Sequence, residues 1–246
     1  MPTLAAFDGP VLVVGPQFCA PHVVDLTVTK KALSLTGNDF TVTDVNGNVV
    51  LKTKGVFFSL RNRRVLLDAA GNPLLTLQQK VKPFTLSSQQ HCASESKAVV
   101  MIITMMASQI LTLHGKCRVF RGESTDSKDL LYSVKMSSLL QFFKTKLHVI
   151  MASNTNEDAC DFKIKGRYFR RSCTVHRGES NSIVAEMRRK ITVKNLLLGK
   201  DTFSVTVYPN VDYAFVASLI VIFDKINKDR SRRQKPHTVA SFGMLS

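Results

Sequence analysis

The chain has 246 residues, of which 44% are hydrophobic, so it can form one large β domain or two small ones around a sizeable core. Its 34 Lys and Arg against 18 Asp and Glu give a formal net charge of +16, which predicts attraction to polyanions such as nucleic acid or anionic lipid. The N-terminus lacks the charged start and long apolar run of a secretory signal, which argues against secretion.

Short strand-like segments separated by turns make up the first third of the chain, starting with apolar runs at 11–14 and 23–28. Two segments of similar sequence follow at 40–54 and 65–77. Each has Asp, two further residues and then Gly-Asn between apolar runs. Asn and Gly accept positive φ, and the Asp of each turn can accept hydrogen bonds from the turn backbone. Both segments are therefore predicted β-hairpins.

A second repeated motif predicts related turns later in the chain. Arg-Gly-Glu-Ser occurs at 121–124 and again at 177–180. Strand-like segments surround both copies. They lie at 130–134, 139–151, 161–165, 172–175, 182–187 and 203–207. The total of roughly ten to twelve short strands is typical of an antiparallel sandwich or barrel.

One helix is predicted near the C-terminus, where only Ser218 is polar between Ala214 and Phe223. Asp212 can cap its N-terminus. A helix that is apolar on every side must be surrounded, and a run of about ten residues is too short for a bilayer span of roughly twenty. We therefore predict a closed antiparallel barrel of about twelve strands around this helix. The residues predicted to fill the barrel are Ala214, Phe215, Val216, Leu219, Ile220, Ile222 and Phe223.

Four motifs resemble the LURP-one-related (LOR) proteins of plants. They are Tyr-Pro-Asn-Val-Asp-Tyr-Ala-Phe at 208–215, Leu-Gly-Lys-Asp-x-Phe-Ser-Val at 198–205, Val-Phe-Arg-Gly-Glu-Ser at 119–124 and Thr-Asp-Val-Asn-Gly-Asn at 43–48. The resemblance covers about residues 10–227. It implies a tubby C-terminal-like and phospholipid scramblase-like fold, a barrel of about twelve strands around a central apolar helix, and a role in plant defence or stress signalling.

The resemblance also divides the chain into parts. Residues 1–9 are predicted to be an N-terminal arm, residues 10–227 the barrel domain, and residues 228–246 a basic tail that is disordered beyond about Asp229. The segment 81–109 interrupts the family pattern with a polar stretch and then a Met-rich apolar stretch. We interpret it as a retained intron, with a true insertion loop as the alternative. Family members usually have Trp where Cys117 stands, a departure that is predicted to alter local packing.

Catalysis is not predicted. The chain contains no H-E-x-x-H, no G-x-S-x-G, no phosphate-binding loop and no dinucleotide fingerprint, and its His residues are dispersed. We expect no cofactor and no metal site. Five scattered Cys without a C-x-x-C pair are typical of reduced thiols. The predicted location is the cytoplasm, with a peripheral position at the plasma membrane and the nucleus as further locations.

Binding is the better-supported function, because three Lys-x-Lys pairs occur in strand-like segments. Period two puts both ammonium groups of a pair on one sheet face, where they can bind phosphate oxygens. The alternative is that each pair is the solvated face of a half-buried strand. The residues predicted to bind lipid head groups are Lys52, Lys54, Lys144, Lys146, Lys163, Lys165, Arg188, Arg189 and Lys190.

Three partner classes remain open at this point. Tubby-like proteins bind phosphoinositide head groups, so the resemblance makes anionic membrane lipid the leading partner. Nucleic acid is the runner-up, because Gly166-Arg-Tyr-Phe-Arg-Arg171 mixes aromatic rings with Arg as stacking surfaces do. The third class is a protein-interaction module without a lipid ligand.

Overall fold

The computed structural model describes residues 9–30, 39–55, 63–79, 116–137, 144–155, 159–167, 172–190 and 201–234. Twelve antiparallel strands follow one another around a ring, and the first strand pairs with the last to close it. The prediction of a mainly β, closed antiparallel barrel with a central C-terminal helix is confirmed. Closure leaves no sheet edge exposed for pairing with another chain.

The strands are β1 (Val24–Lys30), β2 (Phe40–Thr43), β3 (Val49–Gly55), β4 (Arg63–Asp68), β5 (Pro73–Gln79), β6 (Cys117–Arg121), β7 (Leu130–Met136), β8 (Lys144–Met151), β9 (Phe162–Arg167), β10 (Ser172–Arg177), β11 (Ile183–Lys190) and β12 (Asp201–Val207). Helix α1 spans Tyr213–Gln234, and two short 3-10 turns lie at Pro16–Phe18 and Ser127–Asp129.

Helix α1 lies inside the ring of strands. Each residue from Ala214 to Phe223 is at most 2% exposed, which means that all sides of this part of the helix are covered. Phe215 packs against Tyr132 of β7 and Phe162 of β9, with ring centroids 5.2 and 5.1 Å apart. The only polar side chain of the segment, Ser218, hydrogen-bonds the Tyr132 hydroxyl and the Phe215 carbonyl. All seven predicted barrel-filling residues lie within this buried segment.

The helix begins at a fully buried carboxylate, that of Asp212. Its Oδ1 accepts a hydrogen bond from the backbone N–H of Phe215 at 3.0 Å, which is the predicted N-cap. Its Oδ2 accepts from the backbone N–H groups of Val13, Val14 and Gly15 at 3.3, 2.6 and 3.2 Å. The Asp212 side chain therefore caps the core helix and also hydrogen-bonds residues 13–15 of the N-terminal segment.

The barrel has two distinct rims. Helix α1 leaves through the exit rim, which contains the C-terminal ends of odd-numbered strands and the N-terminal ends of even-numbered strands. Its strand-end residues are Lys30, Phe40, Gly55, Arg63, Gln79, Cys117, Met136, Lys144, Arg167, Ser172, Lys190 and Asp201. The opposite rim, called the turn rim here, carries the hairpin turns. In the first two of these, Asp44 and Asp68 accept hydrogen bonds from Asn48 and Asn72, as predicted.

Three contacts hold the helix where it passes the exit rim. Asp224 of α1 forms a buried ion pair with Lys30 of β1. Asn227 accepts a hydrogen bond from the Thr145 hydroxyl of β8 at 2.9 Å. Phe223 packs so closely on β9 that a Cβ added at Gly166 would overlap its ring. This position therefore requires glycine because of space.

Two expectations need correction, and three lie outside the described residues. Residues 11–14 do not form a strand; Val11 makes a single bridge to Val211. Helix α1 continues to Gln234, so the prediction of a disordered tail starting at 228 is wrong for the helical residues 228–234. The anomalous segment 81–109, the arm before residue 9 and the tail after 234 lie outside the described residues. Strands β5 and β6 pair directly from Gln79 to Cys117, so the anomalous segment joins neighbouring strands at the exit rim.

Cys117, the position at which the family usually has Trp, is buried and lines a cavity of about 20 Å³. The cavity lies between β5, β6 and α1, and Leu77, Val221 and Ile222 also line it. The smaller side chain thus coincides with incomplete packing against the helix.

We predict that Asp212→Asn lowers the free energy of unfolding by about 3 kcal/mol. The amide carries no charge, and its NH2 group is a donor that cannot accept hydrogen bonds from the backbone N–H groups. Urea unfolding of the purified protein measures this. Asp44→Asn, in an exposed turn, is the matched control and should cost clearly less. Equal losses in both variants would contradict the role given to Asp212.

Gly166→Ala tests the close approach of the helix to β9. We expect the extra methyl to cost about 1–3 kcal/mol, because it overpacks the Phe223 ring. In a Phe223→Leu background the same methyl should cost much less, since the ring is gone. A double-mutant cycle measures the coupling, and strictly additive losses would show that the two residues do not touch.

Candidate anion-binding groove

Charge is unevenly distributed along the barrel axis. Acidic side chains occupy all five hairpin turns of the turn rim: Asp44, Asp68, Glu123, Asp126, Asp129, Asp161 and Glu179. Basic residues are more numerous at and next to the exit rim: Lys30, Lys54, Arg64, Lys116, Arg118, Lys144, Lys146, Lys165, Arg167, Arg188, Arg189 and Lys190. The turn rim carries Arg121, Lys128 and Arg177, and the Arg63 guanidinium reaches it to hydrogen-bond the Glu123 carbonyl. The barrel therefore presents a basic end, and a polyanion will be attracted to that end.

The lysine pair of β3 lies apart from the other two. Lys52 and Lys54 are exposed and alternate with the buried Leu51 and Thr53, as a half-buried strand requires. Strand β3 is opposite β9 in the ring of twelve. The structure therefore does not bring this pair together with the lysines of β8 and β9.

The lysines of β9 differ from each other. Lys163 is buried, and its ammonium forms an ion pair with Glu179, so it is not a free cation. Lys165 is exposed and stands directly opposite Lys146 of β8. The expectation that both lysines of this pair project freely from one face is thus corrected for Lys163.

A groove of about 520 Å³ crosses the outer face of β8–β11 close to the exit rim. One wall carries Lys146, Lys165 and Arg167, and the other carries Glu186 and Arg188. Between the two walls, β10 carries two short side chains, those of Ser172 and Thr174. The depression exists because these small side chains separate two rows of long ones.

The floor of the groove is backbone. Thr145, Gly166, Cys173 and Met187 stand opposite one another on the four strands, and their side chains belong to the inner face. At Gly166 the inner face is occupied by Phe223 of the core helix. The helix thus supports the strand that carries Lys165 and Arg167.

The groove is lined by more cationic than anionic side chains. The Glu186 carboxylate, which also lines it, accepts hydrogen bonds from Arg188 at 3.1 Å and from the Tyr208 hydroxyl at 3.4 Å. Within the described ranges, no carboxylate lies within ion-pair distance of Lys146, Lys165 or Arg167. Three cations of the groove are therefore free to bind an anion.

The remaining predicted residues lie near this groove. Lys144 stands opposite Arg167 in the register of β8 and β9. Arg189 forms an ion pair with Asp201 of β12 at 2.6 Å, and Lys190 is exposed at the end of β11. Arg167 is a groove residue that was not among the predicted lipid-binding residues, although it belongs to the Gly166–Arg171 segment considered for nucleic acid. Sequence reasoning also missed Ser172 and Thr174, whose role depends on the strand register.

The basic surface also affects a nearby histidine. Burial first, and then the neighbouring ammonium groups of Lys146, Lys163 and Lys135, lower the pKa of His148. The imidazole therefore stays neutral at pH 7. Its Nε2 is buried without a hydrogen-bond partner in the described part of the chain.

Two of the buried thiols are poorly suited to act as nucleophiles. Burial raises the pKa of the Cys117 and Cys173 thiols to about 12, and a thiol, unlike a thiolate, is a poor nucleophile. Among residues with described positions, no group of three or more His, Cys, Asp or Glu could hold a metal ion. The groove itself is lined by charged and hydroxyl side chains.

These features define a class: a closed twelve-strand antiparallel barrel around a C-terminal helix, with a basic groove on its outer face. The chain belongs to the LURP-one-related family, whose sequence profile matches residues 24–224. Protein LURP-one-related 15 of Arabidopsis thaliana is 46% identical over 218 residues, which is 89% of this chain and 87% of that protein. Protein LURP1 of the same plant is 39% identical over 219 residues, 89% of this chain and 91% of that protein.

A solved structure supports the same assignment. The X-ray structure of a protein from Arabidopsis thaliana superposes with a TM-score of 0.59 at 40% sequence identity, covering 88% of this chain and 98% of that one. In the portion of the chain with described coordinates, no helix has both the length and the apolarity needed to span a bilayer.

We predict that lowering the pH destabilises the protein partly through His148. The unfolded chain binds this proton near pH 6.5, whereas the folded protein binds it only at lower pH because the pKa is lowered. The unfolded state then holds more protons, so the free energy of unfolding falls as the pH drops below about 6.5. Urea unfolding at about pH 7 and about pH 5 measures the fall, which should be smaller in His148→Gln. Identical falls in both proteins would refute this assignment.

Proposed function

We propose that this protein is a non-enzymatic, peripheral binder of anionic phospholipid head groups, and that it docks on the membrane by its exit rim. It acts from the cytoplasm, in plant defence or stress signalling. A bilayer surface with negative lipids attracts basic residues by about 1 kcal/mol for each group near the surface. The gathering of cations at one rim, with acids in the turns of the other, is the observation that carries the proposal.

The direction of docking follows from this polarity. With the exit rim toward the membrane, Lys54, Lys165, Arg167 and Lys190 approach the head groups, while the acidic turn rim faces away. The last turns of α1 leave the barrel through the same rim and carry further basic residues in their sequence, from Lys228 to Arg233. The closed barrel around a central helix is also the architecture that we relate to the tubby C-terminal domain and the phospholipid scramblases.

A liposome flotation assay tests the proposal. The protein should float with vesicles that contain phosphatidylserine and stay behind with neutral phosphatidylcholine vesicles. Raising the salt from about 0.1 M to about 1 M should weaken binding strongly, because screening shortens the reach of the surface potential. A variant with Lys54→Gln and Lys190→Gln, both at the exit rim, should bind less.

Other outcomes would overturn the proposal. Equal flotation with neutral and anionic vesicles would show that charge does not drive the binding. No flotation, together with salt-sensitive binding to DNA or RNA, would identify nucleic acid as the partner. Binding to none of these would point to a protein-interaction module.

A further inference from the structure

We propose that the groove across β8–β11 is a specific site for a ligand with two or more closely spaced phosphate groups, and not only part of a diffuse basic surface. The inference rests on the proposed function where it names a phosphorylated lipid head group as the source of the phosphates. The site itself is assigned from Lys146, Lys165, Arg167, Arg188, and the two hydroxyl residues between them.

The first argument is an unfavourable pairing of like charges. In the β8–β9 ladder, Lys146 stands opposite Lys165. Directly opposed residues have Cβ atoms about 5 Å apart, and like charges at that separation destabilise a sheet. A phosphate bound between these two ammonium groups would relieve their repulsion.

The second argument is that the carboxylates of the molecule lie elsewhere. Lys30, Lys163 and Arg189 each have an acidic partner: Asp224, Glu179 and Asp201. Lys165 and Arg167 have none among the described residues, although they are next to each other on the outer face of one strand. Their charges remain uncompensated within the described part of the molecule and are held side by side by the strand.

The third argument is shape. A groove of about 520 Å³ lies within the range of about 300–1,000 Å³ that is usual for small-ligand sites. Ser172 and Thr174 on the middle strand leave room for a ligand between the cationic walls, and the Ser172 hydroxyl can donate a hydrogen bond to it. The Thr174 hydroxyl already pairs with His176 Nε2 at 2.9 Å. Ammonium and guanidinium groups bind phosphate through strong charge-assisted hydrogen bonds, and Arg can bind two oxygens at once. This combination suits a ring that carries several phosphates, such as a phosphorylated inositol.

The test compares two variants that lose the same charge. The groove variant is Lys165→Gln with Arg167→Gln; the control variant is Lys52→Gln with Lys54→Gln on the opposite side of the barrel. Thermal unfolding checks that both fold. Because the groove variant removes like-charge contacts, it should be at least as stable as the wild type.

Binding is measured to vesicles containing a bisphosphorylated phosphatidylinositol and to phosphatidylserine vesicles of equal total charge. Calorimetry measures binding of soluble inositol trisphosphate. We expect the wild type to prefer the bisphosphorylated vesicles. The groove variant should lose at least about tenfold in affinity for them and for the soluble ligand, the change expected from removing two charge-assisted contacts. The control variant lacks Lys54 of the docking rim, so it should bind both kinds of vesicle somewhat more weakly but keep its preference for the bisphosphorylated ones and its affinity for the soluble ligand.

The outcomes separate this inference from the proposed function. Equal binding to both vesicles, reduced alike in both variants, would overturn the specific site and leave peripheral lipid binding intact. In a second outcome, the protein binds inositol trisphosphate but no vesicle, and only the groove variant loses this binding. That result would keep the site and assign it to a soluble phosphate ligand, and it would overturn lipid binding. Binding to neither vesicles nor the soluble ligand would overturn both.

Discussion

The structure depends on a buried carboxylate, that of Asp212, at the point where the chain enters the barrel. Four backbone N–H groups converge on it, three from residues 13–15 and one from the first turn of the helix. They supply the hydrogen bonds that the charge loses when it leaves water. With this end fixed, the following apolar helix is placed along the barrel axis, and the strands close around it. Every strand thereby gains an inner face against which to bury its alternate residues.

The same helix determines where binding can occur on the outside. Phe223 presses on β9 at Gly166, and the residues on either side of that glycine, Lys165 and Arg167, then project outward. The strand is thus held from within by apolar packing while its outer face carries opposed positive charges. Because the core is covered on all sides by close-packed side chains, the outer cations are held on rigid strands and not on loops, which favours a preorganised site.

Much of the fold could be predicted from the sequence, because the signals were local. The run after Tyr213, apolar except for Ser218, required enclosure, and the Asp-x-x-Gly-Asn turns identified two hairpins. The groove could not be predicted, since it depends on strand register: only the ladder shows that Lys146 faces Lys165. The pairing of Lys163 with Glu179 was also hidden, because the two residues are 16 positions apart. The end of the helix at Gln234 could not be predicted, because the apolar run ends before the helix does.

The enclosure of the helix is the central claim, and amide hydrogen exchange tests it most directly. If the segment from Ala214 to Phe223 is wrapped by twelve strands, its amides can exchange only when the barrel itself opens. Their exchange free energy should then equal the global free energy of unfolding measured with denaturant. Rapid exchange of these amides, while those of β8 to β11 stay protected, would show that the helix can leave the barrel without unfolding it and would contradict the account.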